Sequence, residues 1–115
     1  MATMTREFLT GGTGDGRGIK VVQTTTAGTT IHTCGASAKD EIYLWAFNTH
    51  SADLVLTIEH GGVTTPDDLY EFTVPFGDGL YPITPGLILS NSDVIGAFAG
   101  TTNLIIIFGF VNRIT

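Results

Sequence analysis

The chain reads as an all-β protein, a single-domain antiparallel β-sandwich or barrel of about eight strands. Three observations predict this. Turn formers recur about every ten residues, from Gly11-Gly12 through Gly28, Gly35, Gly61-Gly62, Gly77-Asp78-Gly79 and Pro85-Gly86 to Gly100, with Thr, Val, Ile and aromatics between them. No window repeats apolar residues at i, i+3, i+4 and i+7 for long enough to form a helix. The composition is 43% hydrophobic and 14% charged, against roughly 25% charge in an ordinary globular chain. Disorder requires the opposite balance, and 115 residues suffice for one core.

Residues 1–18 are rich in Gly and Thr and lack periodicity, so a flexible, extended N-terminal arm is expected there. Arg6-Glu7-Phe8-Leu9 is its one amphipathic piece. The arm docks on a partner, swaps as a first strand onto a neighbour, or stays unstructured. Residues 19–115 make the sandwich domain. The segments read as strands are 19–24, 29–34, 41–48, 53–60, 68–74, 87–89, 93–99 and 103–114. Segments 53–60 and 68–74 alternate cleanly: Leu54, Leu56 and Ile58 oppose Val55, Thr57 and Glu59, and Tyr70, Phe72 and Val74 oppose Leu69, Glu71 and Thr73. Each has one face for the core and one for water.

Three segments are apolar on both faces. In 41–48, Ile42, Leu44 and Ala46 oppose Tyr43, Trp45 and Phe47; in 103–114, Leu104, Ile106, Phe108 and Phe110 oppose Ile105, Ile107 and Val111; in 93–99, Ile95 and Ala97 oppose Val94 and Phe98. A two-layer sandwich buries only one face of each sheet. The other needs its own cover, because an exposed aromatic strip forgoes several kcal/mol at ~25 cal/mol per Å² and invites aggregation. A second copy in a symmetric homo-oligomer supplies that cover, with Tyr43, Trp45, Phe47, Ile106 and Phe108 as the expected interface. The alternative is a loop, such as 61–66 or 77–86, folded over the strip.

Charge narrows the partners. Arg6, Arg17, Lys20 and Lys39 lie in the first third, and no Lys or Arg follows until Arg113, while all carboxylates but Glu7 and Asp15 fall between Lys39 and Arg113. The net charge is −6. An acidic body repels a polyphosphate backbone, so no nucleic-acid partner is expected. The longest apolar run, residues 104–111, is far short of the ~18 residues of a membrane helix, and the first ten residues lack the apolar stretch of a secretory signal. No membrane partner and cytoplasmic synthesis are the expectations.

Motifs for chemistry are sparse. The glycines of residues 11–18 fit neither phosphate-loop spacing. His32, His50, His60, Cys34 and Glu59 are the candidate metal ligands outside the remaining carboxylates, with His32 and Cys34 one residue apart on one side of a strand. A closed zinc site needs a second ligand pair, which the spacing does not offer, so these histidines are expected at the surface or in turns. Asp67, Asp68, Glu71 and Asp78 could gather oxygens for Ca²⁺, but lack EF-hand spacing and suit turns without a metal. No metal, cofactor or catalytic residue is expected. There is no G-x-S-x-G, and Cys34 has no cationic sequence neighbour to lower its pKa. As the sole cysteine it forms no intrachain disulfide. Tyr43, Trp45 and Phe47 could also stack against a sugar.

From Glu41 onward the text resembles small virion proteins of tailed bacteriophages. The resemblance rests on residues 43–50 (YLWAFNTH), 54–62 (LVLTIEHGG), 66–68 (PDD), Val74-Pro75 through Gly77-Asp78-Gly79, Pro85-Gly86-Leu87 and 109–114 (GFVNRI). Within that group it is most similar to head decoration, or cement, proteins. The resemblance implies a jelly-roll-like sandwich, favoured over an immunoglobulin-like one. It also implies a homo-oligomer, commonly a trimer, that sits on the capsid surface and clamps the major capsid protein at capsomer junctions without enzymatic activity. The capsid-contacting arm would fall on Arg6, Glu7, Phe8 and Leu9. The rival function is a tail-fibre, spike or lectin-like module that binds a host receptor or glycan, and a third is a small β-barrel enzyme.

Overall fold

In the computed structural model, which describes residues 3–115, nine strands form two antiparallel sheets. They are β1 (Met4–Phe8), β2 (Ile19–Lys20), β3 (Thr29–Thr33), β4 (Lys39–Asn48), β5 (Leu54–His60), β6 (Leu69–Val74), β7 (Tyr81–Ser90), β8 (Val94–Ala99) and β9 (Ile105–Ile114). Sheet A runs β1-β9-β4-β7, and sheet B runs β3-β8-β5-β6. β2 joins the edge of β9 already used by β1, with β1 on Phe110–Ile114 and β2 on Ile106 and Ile107. Counted as one interrupted edge strand, β1 and β2 complete two four-position sheets in the strand order of a jelly roll. The all-β expectation holds, and the open choice of strand order falls to the jelly roll.

The core follows the alternation. Ile42, Leu44 and Ala46 of β4, Ile105, Ile107 and Val111 of β9, Leu56 and Ile58 of β5 and Ile95 and Ala97 of β8 are buried between the sheets. Asn48 ties the end of β4 to the next turn, donating from Nδ2 to the carbonyls of Ala52 (3.0 Å) and Val74 (2.9 Å). At the far end of β7, Asn91 and Ser92 both take positive φ (58° and 63°) and Asp93 N–H returns to Ser90 O, a type I′ turn that hands the chain from sheet A to sheet B.

Three boundaries depart from the sequence reading. The flexible-arm expectation for residues 1–18 is corrected: Met4–Phe8 is an edge strand of the same chain, and Leu9 is 6% exposed within the core. Residues 1 and 2 lie outside the described residues. The leader is held because Thr10 and Gly11 dock on β3, Thr10 N–H on His32 Nδ1 (3.2 Å), Gly11 N–H on Ile31 O (2.9 Å) and Thr33 N–H on Thr10 Oγ1 (2.7 Å). The short strand expected at 87–89 extends to ten residues. β7 is an edge strand, where Pro82 and Pro85 need not donate to a neighbour, and Gly86 (φ +95°) forms a bulge beneath the Tyr43 ring. The strand expected at 19–24 stops at Lys20, after which Val21 N–H still bonds Ile105 O at 2.9 Å.

Candidate interaction surface

β4 and β9 are central in sheet A and ten residues long, so the residues between their core positions form the middle of its outer face. Register puts Tyr43 beside Phe110, Trp45 beside Phe108 and Phe47 beside Ile106. The Tyr43 and Phe110 rings stack with centroids 5.1 Å apart, and Trp45 tilts against Phe110 at 6.0 Å. Tyr43, Trp45, Ile106, Phe108 and Phe110 are half-buried, and Phe47 is exposed. All five residues expected at an oligomer interface therefore share one face, and Phe110, beyond Gly109 on β9, belongs with them. Towards β7 the face continues in exposed Ile88, opposite Glu41, and in Pro82 and Pro85.

The arm residues divide. Arg6 and Phe8 lie on this same outer face: the Arg6 guanidinium sits 4.7 Å over the Phe110 ring, and Phe8 pairs with Phe110 in register. Glu7 is half-buried on the opposite side of β1, and Leu9 is buried in the core, so the expectation that all four make one contact surface is corrected for Leu9. Strand alternation enforces the split, since adjacent residues point to opposite sides. Further along the same edge the leader backbone lies on the face: a Cβ on Gly18 would meet Ile106 Cγ2 at 2.4 Å and the Phe108 ring at 2.8 Å. That is the cover seen at this end, in place of the loops 61–66 and 77–86.

Charge is sorted between the two outer faces. Alternation and register place Arg6, Lys20 and Lys39 on the outer face of sheet A, with Glu41 the carboxylate among them. Of the two remaining cations, Arg17 pairs with Asp15 at 3.1 Å and Arg113 is bound to Asp40 on the core side. The strands of sheet B carry no Lys or Arg. Its outer face presents Val55, Val94, Phe98, Leu69, Glu71 and Thr73, with Thr57 on the same face but buried, and is bordered by Asp67 and Asp93 in the turns. Glu59 also belongs to this face but is only 3% exposed, not wet as its alternation suggested. The loop before β3 roofs it, with Gly28 N–H donating at 2.7 Å and the Thr26 hydroxyl donating to its other oxygen.

A second polar cluster is buried where β3, β4 and β9 meet. Asp40 accepts Arg113 Nε–H on Oδ1 (2.9 Å) and Nη2–H on Oδ2 (3.0 Å), and His32 Nε2 lies 2.8 Å from Oδ2. Because Thr10 N–H points at Nδ1, the ring proton sits on Nε2 and is donated to Asp40. Burial alone would push the Asp40 carboxyl up, but the hydrogen bonds it accepts from Arg113 and His32 and the charge of Arg113 hold it below the usual carboxylate range. Burial, then Asp40 and Asp93, push the Cys34 thiol up to about 11. His32 is thus a core residue, correcting its expected place at the surface or in a turn; His50 is exposed and His60 packs on Tyr70.

This cluster lacks the arrangement of a nucleophile and base. Both His32 nitrogens are engaged and the thiol is a weak acid. His32, Cys34 and Asp40 offer ligand atoms within 4.8 Å of one another, but a metal ion would have to displace the His32 proton and share its carboxylate with Arg113. An anchoring ion pair accounts for every contact: it fastens the leader, β3 and β9 to one buried carboxylate. Of the candidate Ca²⁺ carboxylates, Asp68 serves its own turn, Oδ2 accepting Thr64 N–H at 3.1 Å, and Glu71 lies on β6. Among the described residues no helix is long and apolar enough to cross a membrane.

Comparison with known proteins identifies no relative: no family model, no curated protein and no solved structure matches this chain.

Proposed function

We propose that this chain is a non-enzymatic structural protein of a tailed-bacteriophage virion, binding the outside of the capsid as an oligomer and reinforcing capsomer junctions. One observation carries the proposal beyond the resemblance of its sequence. The outer face of sheet A joins Tyr43, Trp45, Phe47, Ile106, Phe108 and Phe110 in a continuous, largely aromatic surface that its own chain covers in part, at Gly18, at Arg6 over Phe110 and at Gly86 beside Tyr43, with Phe47 left exposed. A surface of this kind is a protein contact awaiting its partner. Copies of the chain meet there, with a trimer as the favoured assembly. Arg6 and Phe8, on the edge strand of that face, take the part first given to a free arm and reach the major capsid protein.

The test is addition of purified protein to expanded, undecorated capsids. Saturable binding in a copy number that follows the capsid symmetry, with greater resistance of the shells to heat, is expected. Shells that stay bare and unprotected would contradict the proposal. Labelling of host cells or of a glycan array instead would favour a tail-fibre or lectin-like receptor module, for which the Tyr43, Trp45 and Phe110 rings offer a stacking platform.

A further inference from the structure

The two sheets have four edges between them, and the chain closes these unequally. β7 carries Pro82, Pro85 and the bulge at Gly86, and β3 is overlaid by the leader through Gly11 N–H on Ile31 O. β1 and β2 leave an edge broken between Phe8 and Ile19. β6 is continuous, and Leu69–Val74 holds no proline, bulge or lysine, the devices that ordinarily blunt an edge. Its hydrogen bonding follows from register. His60 N–H donates to Asp68 O at 2.8 Å, so the backbone groups of Tyr70, Phe72 and Val74 also turn towards β5. Those of Leu69, Glu71 and Thr73 turn outward. Leu69 N–H is taken by Pro66 O at 3.4 Å, but among the described residues the N–H and C=O of Glu71 and Thr73 meet no protein partner.

We propose that β6 is a docking edge, on which an extended segment of another protein adds to sheet B as a further antiparallel strand. The N–H and C=O of Glu71 and of Thr73 would each gain a backbone partner. Side chains of the added strand alternate. Those opposite Tyr70 and Phe72 enter an apolar groove of ≈ 380 Å³ between the sheets, walled by these two rings and by Pro82, Ile83, Pro85 and Leu87 of β7. The residue between them stands beside Glu71, which is exposed, and the strands of sheet B hold no Lys or Arg to neutralise it. The segment that fits is therefore apolar, then Lys or Arg, then apolar. A second copy does not supply it. In any register of β6 on β6 the inward side chains are Tyr70 and Phe72, which are held by Thr84 (2.9 Å) and Tyr81 of their own protomer. The register centred on Glu71 also opposes two glutamates. Ile19-Lys20-Val21 has the right pattern, but Ile19 and Val21 are buried in the core. The edge lies apart from the aromatic face of sheet A and does not rest on the capsid reading.

The test is an NMR titration of the isotope-labelled chain with a synthetic peptide, acetyl-Thr-Thr-Val-Lys-Val-Thr-Thr-amide. In the free chain the amides of Glu71 and Thr73 are expected to exchange with solvent faster than those of Ile58 and Phe72, which are paired. Peptide should slow exchange at Glu71 and Thr73 and shift the resonances of residues 69–73 and 82–87, leaving Trp45 in place. A peptide with Glu in place of Lys should bind about fivefold more weakly. One N-methylated at that lysine cannot donate to Glu71 O and should lose binding. Thr73→Pro removes an outward N–H, a change that an edge strand tolerates, and should abolish binding. Glu71→Lys should reverse the preference between the Lys and Glu peptides, and it decides the matter if the proline variant misfolds. Four results would each overturn the docking edge. They are no binding, indifference to the N-methyl group, shifts confined to the sheet A face, and Glu71 and Thr73 amides already protected in the free chain. Protection that grows with the chain's own concentration would give the edge to a second copy and overturn it equally. Shell addition is read separately, so capsids that stay bare leave this edge standing, and loss of peptide binding leaves the capsid function standing.

Discussion

The two outer faces of the sandwich are made by the same rule and finished differently. In both sheets every second residue points away from the core, yet sheet B turns out one aromatic ring, Phe98, with Val55, Val94 and Leu69 among Thr, Gly and carboxylates, while sheet A turns out six aromatic rings, Phe8, Tyr43, Trp45, Phe47, Phe108 and Phe110, among three cations. The chain completes sheet B itself: the loop over Glu59 satisfies both of its oxygens. Sheet A receives partial cover, the backbone near Gly18 across Ile106 and Phe108, Arg6 over Phe110 and Gly86 beside Tyr43. An outward face that resembles a core is left in part unfinished by its own chain, and under the proposed function that is where a partner is expected.

The comparison can be broken first through the leader, which edges sheet A. Deleting residues 1–18 removes β1 and β2's approach, Leu9 from the core and the Thr10 contact to His32. Loss of a buried leucine alone costs about 2–5 kcal/mol, so the truncated chain is expected to melt far earlier or fail to fold. Urea unfolding with an unchanged midpoint would show that the leader is a separable arm after all. Next in size, Asp40→Ala leaves Arg113 and His32 facing an empty interior and should cost about 3 kcal/mol. Urea unfolding followed by circular dichroism measures it, and association at protein concentrations where the variant is folded should be little changed.

Trp45→Ala separates surface from fold. Removing a central aromatic anchor should cost about 2 kcal/mol of association, roughly thirtyfold in Kd, while the protomer's own stability shifts by about 1 kcal/mol or less. Equal losses in sedimentation and in urea unfolding would make Trp45 an ordinary packing residue. On the other sheet, Glu59→Gln should loosen the roofing loop at a cost of about 1 kcal/mol. Amide exchange at Gly28 should quicken, and oligomer mass should not change.

Acid gives the smallest and most graded effect. Burial holds the His60 pKa below its usual value against the opposing Ile88 carbonyl and Asp93, so the unfolded chain takes up a proton from about pH 6.5 downward before the folded one does. Asp40 is held low, so its contribution is present above about pH 4 and lost as pH falls through its folded value. Stability should therefore decline in two stages on acidification, with no matching loss between pH 7 and 9. A stability maximum at acid pH would contradict both assignments.

Much of this architecture is legible in the residues themselves. Clean alternation in β5 and β6 and the doubled apolar pattern of β4 and β9 locate the core and its outward aromatic partner face, because a period of two is a property of the backbone. What stays hidden depends on distant neighbours. Met4–Phe8 has no distinctive pattern, and its pairing is decided by the free edge of β9, more than a hundred positions later. Pro82, Pro85 and Gly86 look like strand breakers until β7 proves to be an edge. His32 and Glu59 look like surface groups until Asp40, Arg113, Thr26 and Gly28 arrive beside them. The sorting of charge between faces needed strand registers, since Arg6, Lys20 and Lys39 come from three different strands.

Trp45 is the only tryptophan in the chain, and it stands at the centre of the uncovered face, so its fluorescence reports directly on whether another molecule covers that face. With rising protein concentration, or on binding to shells, its emission should move to the blue and become protected from a soluble quencher such as acrylamide. In a Phe47→Glu variant, which sets a charge in place of the exposed aromatic of that face, the protection that comes with concentration should disappear. Emission and quenching that stay the same at every concentration and on every shell would mean that nothing covers this face, and that sheet A is complete as it stands.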